Sequence, residues 1–142
     1  MNADVPEGFA PHFRKSGLTD PWEPLYSRNT GNALFMGLRA GPAHANSRDF
    51  VHGALITALA DNAMGLSCGL MLEGATGLVT VGLSVDFIAT ARLGQWLEIR
   101  PAVLKSGRNL SFCTATVHAD DTLCARANAT FRAFMPEKVP AA

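Results

Sequence analysis

One stretch of the chain, residues 53–72, constrains the fold more than any other. It reads GALITALADNAMGLSCGLML, and Asp61 is its only charged side chain. Apolar residues would lie on every side of a helix over these positions, which is typical of a helix buried on nearly all sides. A membrane span has a similar length, but a carboxylate in mid-bilayer is costly, and Thr57, Asn62 and Ser67 interrupt the apolar run. We therefore predict a central helix in a globular domain, with no membrane partner.

The residues after this helix follow the two-residue period of β-strands. Over residues 79–87, apolar side chains alternate with Thr, Gly, Ser and Asp, which predicts a strand with one buried face. Two more strands are predicted over 97–105 and 110–118, joined by a glycine-containing hairpin turn, and another over 123–134. A first strand over 32–39 precedes the helix. Because one amphipathic sheet must cover one apolar helix, we predict an α+β fold with a curved antiparallel sheet wrapped around one long helix.

The 142 residues are predicted to form one domain with an extension at each end. Residues 1–31 contain four of the eight prolines, so they are expected to form an arm with at most a short helix. Residues 32–136 would form the globular domain, and residues 137–142 a short C-terminal tail.

Composition argues against several kinds of partner. The chain has 12 basic and 12 acidic side chains and no basic stripe, so nucleic acid is not an expected partner. The histidines and the three cysteines, Cys68, Cys113 and Cys124, have no metal-ligand spacing, so no metal site is predicted. Residues 1–10 lack the apolar core of a secretory signal, and reduced thiols are the simplest interpretation of an odd cysteine count. We expect a cytoplasmic protein.

Asp61 is the candidate for chemistry because a buried carboxylate must be satisfied by partners or used. A structural role, in which it hydrogen-bonds a neighbouring strand, is equally open. Gly53 begins the helix, where an unsatisfied backbone N–H at the positive dipole end could stabilise an oxyanion. The two residues are about 12 Å apart along a helix, so one carbonyl group cannot contact both in one chain. If both act, a two-fold dimer must bring Gly53 of one subunit opposite Asp61 of the other.

Asn46, His52, Gly53 and Asp61 follow the pattern N-x5-HG-x7-D, which resembles the active-site segment of hotdog-fold acyl-CoA thioesterases. The resemblance is to the PaaI-like group, which is related to 4-hydroxybenzoyl-CoA thioesterases. The later segments VTVGLSVDFIATARLGQWLEIRPAVLKSGRN and ARANATFRAF are also similar to that group. The resemblance implies a hotdog fold that assembles as a homodimer or homotetramer. It also implies hydrolysis of acyl-CoA to free acid and CoA, with no cofactor beyond the CoA of the substrate.

The resemblance also implies roles for individual residues. Gly53 would supply the oxyanion N–H, and His52 and Asn46 would orient the thioester and the loop. Asp61 of the facing subunit would act as general base on water or as nucleophile, and Thr80 would hold the attacking water. CoA or substrate binding is implied for Gly82, Phe87, Lys105, Ser106, Gly107, Arg108, Asn109 and Leu110.

Two positions depart from the pattern of this group. Ala54 and Phe50 stand where many relatives have glycine, and the bulkier loop could narrow the acyl pocket. Thr80 raises a separate difficulty, because strict alternation puts it on the strand face opposite Val79 and Val81. If those valines meet the helix of their own chain, Thr80 would reach a site only where two subunits meet.

Other interpretations stay open. Lys105 and Arg108 could belong to an ordinary solvated hairpin instead of contacting CoA phosphates. The chain could be a non-catalytic acyl-CoA binder in which Asp61 is structural. It could also be a hotdog dehydratase or hydratase, although no second acidic residue accompanies His52 in its helix.

Overall fold

The computed structural model describes residues 5–136, so the predicted tail at 137–142 lies outside the described residues. These residues form one antiparallel sheet, one long α-helix and two short 3-10 helices. The α-helix is α1 (Gly53–Leu70), and the 3-10 helices are Asp20–Trp22 and Pro42–His44. The strands are β1 (Ala10–Pro11), β2 (Tyr26–Asn29), β3 (Leu34–Arg39), β4 (Gly77–Phe87), β5 (Trp96–Ser106), β6 (Leu110–Ala119) and β7 (Thr122–Phe134).

The sheet has the strand order β1-β2-β3-β5-β6-β7-β4, and α1 packs against β3 to β7. β3 and the four strands that follow the helix were predicted from the sequence, whereas β1 and β2, in the arm, were not. The architecture of one helix against a curved antiparallel sheet is therefore confirmed. Small side chains of β7, among them Ala125, Ala127 and Ala129, are buried on the face that meets the helix. They let the helix axis approach the sheet closely, which is why so many alanines occur in one strand.

Within one chain, α1 is covered on one side only. Its other side carries Ala58, Asp61, Asn62 and Leu66, which are half-buried or exposed. The expectation of a helix buried on nearly all sides does not hold for a single chain, because the sheet curves around one side. The buried residues of the helix are Leu55, Ile56, Leu59, Ala60, Ala63, Met64, Ser67 and Cys68.

α1 is the one helix in the described part of the chain that is long and apolar enough to cross a membrane. The core helix of a globular domain meets the same criteria of length and composition. Since α1 packs against five strands of its own domain, its apolar character is accounted for by that core.

The predicted N-terminal arm extends the sheet. β1 pairs with β2, and β2 pairs with β3, the first strand of the predicted globular domain. The rings of Phe9 and Tyr26 contact Trp96 of β5, with centroids 5.2 and 5.9 Å from its ring. Gly37 is required beneath that ring, because a Cβ at this position would overlap Trp96. The arm is thus anchored on the outer face of the sheet, and the domain boundary at residues 31–32 stays a prediction.

A β-bulge interrupts the alternation of β4. Thr80 pairs with Phe131 and the next pair is Gly82 with Thr130, so Val81 has no partner on β7. A bulge inserts one extra residue and shifts the phase of the side chains that follow it. The strict alternation predicted for residues 79–87 therefore fails at Val81.

The bulge changes which residues of β4 face α1. Thr80 lies on the helix side, since its hydroxyl group reaches Asp61 of the same chain. After the bulge, Val85 packs on the core and the Phe87 ring lies against Gly53. Thr80 therefore faces the helix of its own chain, which removes the difficulty that strict alternation raised.

β4 is an edge strand of the sheet, and much of its apolar surface is exposed. Val79, Val81, Leu83 and Phe87 are 48, 62, 37 and 56% exposed. No strand within residues 5–136 pairs with its free edge. The prediction of one buried face is thus wrong for a single chain, and this edge is a surface suited to association.

Two glycines of α1 differ in the room beside them. A Cβ at Gly69 would lie 3.5 Å from the Leu78 side chain, an ordinary contact, whereas a Cβ at Gly65 would lie 3.2 Å from the Phe131 ring. Because alanine is favoured over glycine in helices by about 1 kcal/mol, we expect Gly69→Ala to raise the free energy of unfolding by up to about that amount. Gly65→Ala should gain less, since Phe131 must shift. Urea denaturation measures both, and a Gly69→Ala variant less stable than wild type would contradict the expected packing.

Candidate active site

Asp61 lies near the middle of α1, on the side that its own sheet leaves open. Its Oδ1 atom accepts a hydrogen bond from the Thr80 hydroxyl, with 2.7 Å between the two oxygens. A hydrogen bond to a carboxylate is stronger than one between neutral groups, so it fixes the orientation of Asp61. Oδ2 accepts no hydrogen bond from the residues that the structure describes. One oxygen of the half-buried carboxylate is therefore held while the other is available to water or substrate.

Asn46 closes the loop that leads into α1. Its Oδ1 atom accepts hydrogen bonds from the backbone N–H groups of Arg48 and Phe50, at 2.9 and 3.1 Å. Asp49 has a φ of 61°, in the left-handed region, which lets the loop turn tightly between these contacts. Asn46 thus shapes the loop before His52. The resemblance implied that it orients both the loop and the thioester, and these hydrogen bonds concern the loop.

His52 caps the N-terminus of α1. Its Nδ1 atom accepts a hydrogen bond from the Ala54 N–H at 2.9 Å. A nitrogen that accepts cannot carry the proton, so the neutral ring has its proton on Nε2. The exposed His52 therefore offers an N–H donor next to Gly53.

Gly53 leaves a backbone donor free at the start of the helix. Its N–H has no hydrogen-bond partner among residues 5–136, whereas the Ala54 N–H is capped by His52. The positive end of the helix dipole adds to the attraction of this N–H for an anionic oxygen. The Phe87 ring lies beside it, and a Cβ at position 53 would come within 3.0 Å of the Phe87 Cζ atom. Glycine thus permits the close contact with Phe87 and keeps the donor accessible.

The predicted CoA-binding turn lies at the other end of α1. The Ser106 hydroxyl donates to the Cys68 carbonyl oxygen at 3.2 Å, near the C-terminal end of the helix. Within the turn, the Gly107 N–H donates to the Ser111 hydroxyl at 3.3 Å. Lys105 and Arg108 are exposed, and neither forms an ion pair within the described part of the chain.

The remaining turn residues, Asn109 and Leu110, are exposed and do not line the cavity beside Asp61. The Asn109 carbonyl oxygen accepts a hydrogen bond from the Ala133 N–H at 3.2 Å, which holds the end of the turn against β7. Gly82 lies on the outer face of the sheet, in a shallow pocket with Leu104, and so on the side opposite α1. The structure therefore brings together Asp61 with Thr80, and Gly53 with His52 and Phe87, but not Gly82 with either group.

A cavity of about 600 Å³ lies beside Asp61 and Thr80. Its walls are the second half of α1, the start of β4 and a segment of the N-terminal arm. Nothing in the sequence pattern pointed to the arm residues, since β1 and β2 bring them here by pairing with the sheet. The arm residues that line the cavity are His12, Phe13, Arg14, Lys15, Ser16 and Thr19.

The cysteines do not form an alternative reactive site. All three are buried and none forms a disulfide. Burial raises the pKa of Cys124 to about 11, and a hydrogen bond with Cys68 together with burial raises the pKa of Cys113 far above its usual range. A thiol that stays protonated is a poor nucleophile. The same hydrogen bond lowers the pKa of Cys68, but this thiol is fully buried and so is closed to a substrate. Residues 5–136 also contain no group of three His, Cys, Asp or Glu side chains that could hold a metal ion.

The sequence and the fold were compared with those of known proteins. Residues 49–126 match the family model described as the thioesterase superfamily. A Pseudomonas aeruginosa protein, whose name gives it as a candidate esterase, is 38% identical over 129 residues, which cover 90% of this chain and 96% of that protein. The crystal structure of zebrafish thioesterase superfamily member 2 has a TM-score of 0.75 at 22% identity, covering 84% of this chain and 88% of that one. A Streptococcus mutans protein solved with bound acetyl-CoA has a TM-score of 0.68 at 22% identity, covering 75% and 85% of the two chains. The hotdog fold predicted from the sequence is thereby confirmed.

Proposed function

The chain belongs to the thioesterase superfamily and is a thioesterase, and on that basis we propose that it hydrolyses acyl-CoA to a free acid and CoA. The observation that carries this proposal is the Asp61 carboxylate, oriented by Thr80 beside a cavity large enough for an acyl group. The acetyl-CoA bound to the Streptococcus mutans protein of the same fold supports CoA as the thiol.

The site provides for both steps of thioester hydrolysis. As general base, the free Oδ2 of Asp61 removes a proton from water while the water oxygen attacks the thioester carbonyl carbon. The carbonyl oxygen becomes an oxyanion and accepts a hydrogen bond from a Gly53 N–H. When the intermediate collapses, the C–S bond breaks and the CoA thiolate takes up a proton. As nucleophile, the Asp61 carboxylate would instead attack the carbonyl carbon, the C–S bond would break to release the CoA thiolate, which takes up a proton, and water would hydrolyse the resulting anhydride to the free acid and the Asp61 carboxylate.

The Gly53 in this scheme comes from a second copy of the chain. Within one chain, Gly53 and Asp61 are eight residues apart on α1, or about 12 Å along the axis. The exposed apolar edge of β4 and the open side of α1 are continuous with the Asp61 site, and they provide a surface for a two-fold dimer. With two antiparallel helices at this surface, each site would combine Asp61 and Thr80 of one subunit with the helix start of its partner.

The same arrangement gives the 105–110 turn a role in binding CoA. The turn lies near the C-terminal end of α1, so in an antiparallel pair it would approach the start of the partner's helix. Lys105 and Arg108 would then lie beside the CoA phosphates and donate hydrogen bonds to them.

A non-catalytic acyl-CoA binder is the second candidate. The bond between Asp61 and Thr80 is also what a purely structural carboxylate would make, since it ties α1 to β4. Turnover separates the two functions, because a binder retains the cavity and does not hydrolyse the ligand.

The direct test is release of free thiol from short, medium, long and aromatic acyl-CoAs by the purified protein. We expect turnover of at least one class at rates typical of enzymes, about 1 s⁻¹ or more. Binding of acyl-CoA measured by calorimetry, with no thiol released from any of the four classes, would contradict hydrolysis and favour the binder.

A further inference from the structure

The cavity beside Asp61 runs along α1 toward the N-terminal arm. Asp61, Gly65 and Gly69 are four residues apart and therefore lie on one side of the helix, and all three line the cavity. The distance from the first to the last is about 12 Å along the helix axis. Neither glycine has a side chain, so Phe131 and Leu78 approach α1 to 3.2 and 3.5 Å from where a Cβ would lie, and both glycines line the cavity.

The wall of the cavity changes from apolar to polar along its length. Its middle is apolar, with Leu25, Met36, Leu78 and Phe131 around the two glycines of α1. Its far wall is formed by the arm and is polar except for Phe13; the other lining residues there are His12, Arg14, Lys15, Ser16 and Thr19. An apolar middle with a polar end suits an acyl group that is hydrocarbon along its chain and polar at its tip.

Most polar groups of the arm segment are already paired. The Lys15 ammonium group forms hydrogen bonds of 3.0 Å with both carboxylate oxygens of Glu23, which neutralises it. The Ser16 and Thr19 hydroxyl groups bond to each other at 2.9 Å.

His12 is buried, and its Nδ1 atom lies 3.0 Å from the Ser27 hydroxyl oxygen. Burial is the main cause that lowers the pKa of His12, so the ring carries no charge at neutral pH. Arg14 contributes to that lowering, which indicates that its charge is felt at the His12 ring.

Arg14 is exposed, and it is the cation of this wall that Glu23 does not neutralise. Its guanidinium group has no hydrogen-bond or ion-pair partner in the described part of the chain. Among residues 5–136, Asp61 is the acidic side chain that lines the cavity, and it is on the helix and belongs to the catalytic pair. Guanidinium groups bind carboxylates and phosphates through two parallel hydrogen bonds, and of these two groups only a carboxylate can stand at the end of an acyl chain.

We propose that residues 12–19 form the far end of the acyl pocket and that Arg14 binds a carboxylate at the end of the acyl chain. The preferred substrates are then ω-carboxyacyl-CoA thioesters, the monothioesters of dicarboxylic acids. This inference rests on the proposed acyl-CoA hydrolysis and adds the class of acyl group.

The test compares substrates that differ only at the end of the acyl chain. Adipoyl-CoA is matched with hexanoyl-CoA, and suberoyl-CoA with octanoyl-CoA. Wild type should have the higher kcat/KM for the dicarboxylic member of at least one pair. Arg14→Gln should lower kcat/KM for that member at least about tenfold, since the loss of even one charge-assisted hydrogen bond has that effect, and change its partner less than about twofold. Arg132→Gln, on the exposed outer face of β7, is the matched control and should leave both values unchanged.

The outcomes separate this inference from the function on which it rests. Hydrolysis of all four substrates with no preference for the carboxylate overturns the role of Arg14 and leaves the acyl-CoA hydrolase intact. An equal loss on both members of a pair in Arg14→Gln also overturns it, since the arginine would then act on the whole pocket. If neither these substrates nor any other acyl-CoA releases thiol, the proposed function fails and this inference fails with it.

Discussion

Asp61→Asn should lower kcat for thioester hydrolysis by about 10²–10⁴-fold, the usual contribution of a positioned general base. The amide cannot remove a proton from water and cannot form an anhydride, so both roles considered for Asp61 are lost. The amide oxygen can still accept the hydrogen bond from Thr80, so the tie between α1 and β4 is retained. Free-thiol release measures the turnover, and calorimetry with the same acyl-CoA should give a Kd close to that of wild type.

Asp121→Asn is the matched control for this substitution. Asp121 is exposed in the turn between β6 and β7, away from the cavity, and the change removes the same charge. It should leave kcat unchanged. Turnover that survives in Asp61→Asn would mean that a different group activates the water. Loss of turnover together with loss of acyl-CoA binding would mean that Asp61 holds the substrate instead of carrying out the chemistry.

The features that could be predicted from the sequence are those that depend on residues close together along the chain. The α1 helix and the four strands after it each have a periodicity that is set by which side chains are buried. Asp61 was conspicuous because it is the one charged residue in an apolar helix. The start of that helix at Gly53 is also a local feature and was anticipated, whereas the side-chain cap by His52 was not predicted.

The features that could not be predicted from the sequence depend on pairing between segments that are distant along the chain. The bulge at Val81 exists only relative to β7, and the alternation of β4 by itself gives no sign of it. The contact between Thr80 and Asp61 joins residues nineteen positions apart and follows from that bulge. The arm segment that lines the cavity is brought there by β1 and β2, which are two and four residues long and too short to have a clear strand pattern. Long-range register of this kind cannot be obtained from periodicity alone.

The exposed surfaces have a related explanation. A periodic pattern indicates that a face is buried but not by which chain, so α1 and β4 were both expected to be more buried than they are. A second copy packed on the free edge of β4 would account for the apolar residues that one chain leaves exposed. The separation of Gly53 from Asp61 points to the same dimer, in which Asp61 and Thr80 of one subunit face Gly53 of its partner. We call this arrangement the composite site.

The composite site predicts a large effect at Gly53 as well. Gly53→Pro removes the proposed oxyanion donor, and we expect kcat to fall by about 10²–10³-fold. The fold should tolerate this change, because proline is favoured at the first position of a helix and the Gly53 N–H is not bonded within residues 5–136. His52 has φ −67° and ψ 133°, the extended conformation that a residue before proline prefers.

Gly53→Ala separates the lost donor from the added bulk. Alanine keeps the N–H but puts a Cβ about where proline would, close to the Phe87 ring. The contact is with the tip of the Phe87 ring, so a shift of a few tenths of an ångström relieves it, and Gly53→Ala should retain most of the turnover. Equal losses in the two variants would show that crowding against Phe87, and not the missing N–H, is responsible.

Mixing the two inactive variants tests whether each site is shared between subunits. A dimer of Asp61→Asn chains has no intact carboxylate, and a dimer of Gly53→Pro chains has no intact donor. A mixed dimer has one site with both defects and one site with neither, since the intact Asp61 then faces the intact Gly53. Unfolding and refolding an equal mixture should therefore restore about a quarter of wild-type activity, because half of the dimers are mixed and each has one working site. Each variant refolded alone should regain its dimer, which is the control for refolding. If mixed dimers form and the mixture still has no activity, Gly53 and Asp61 of different chains do not form one site, and the two-subunit mechanism is wrong.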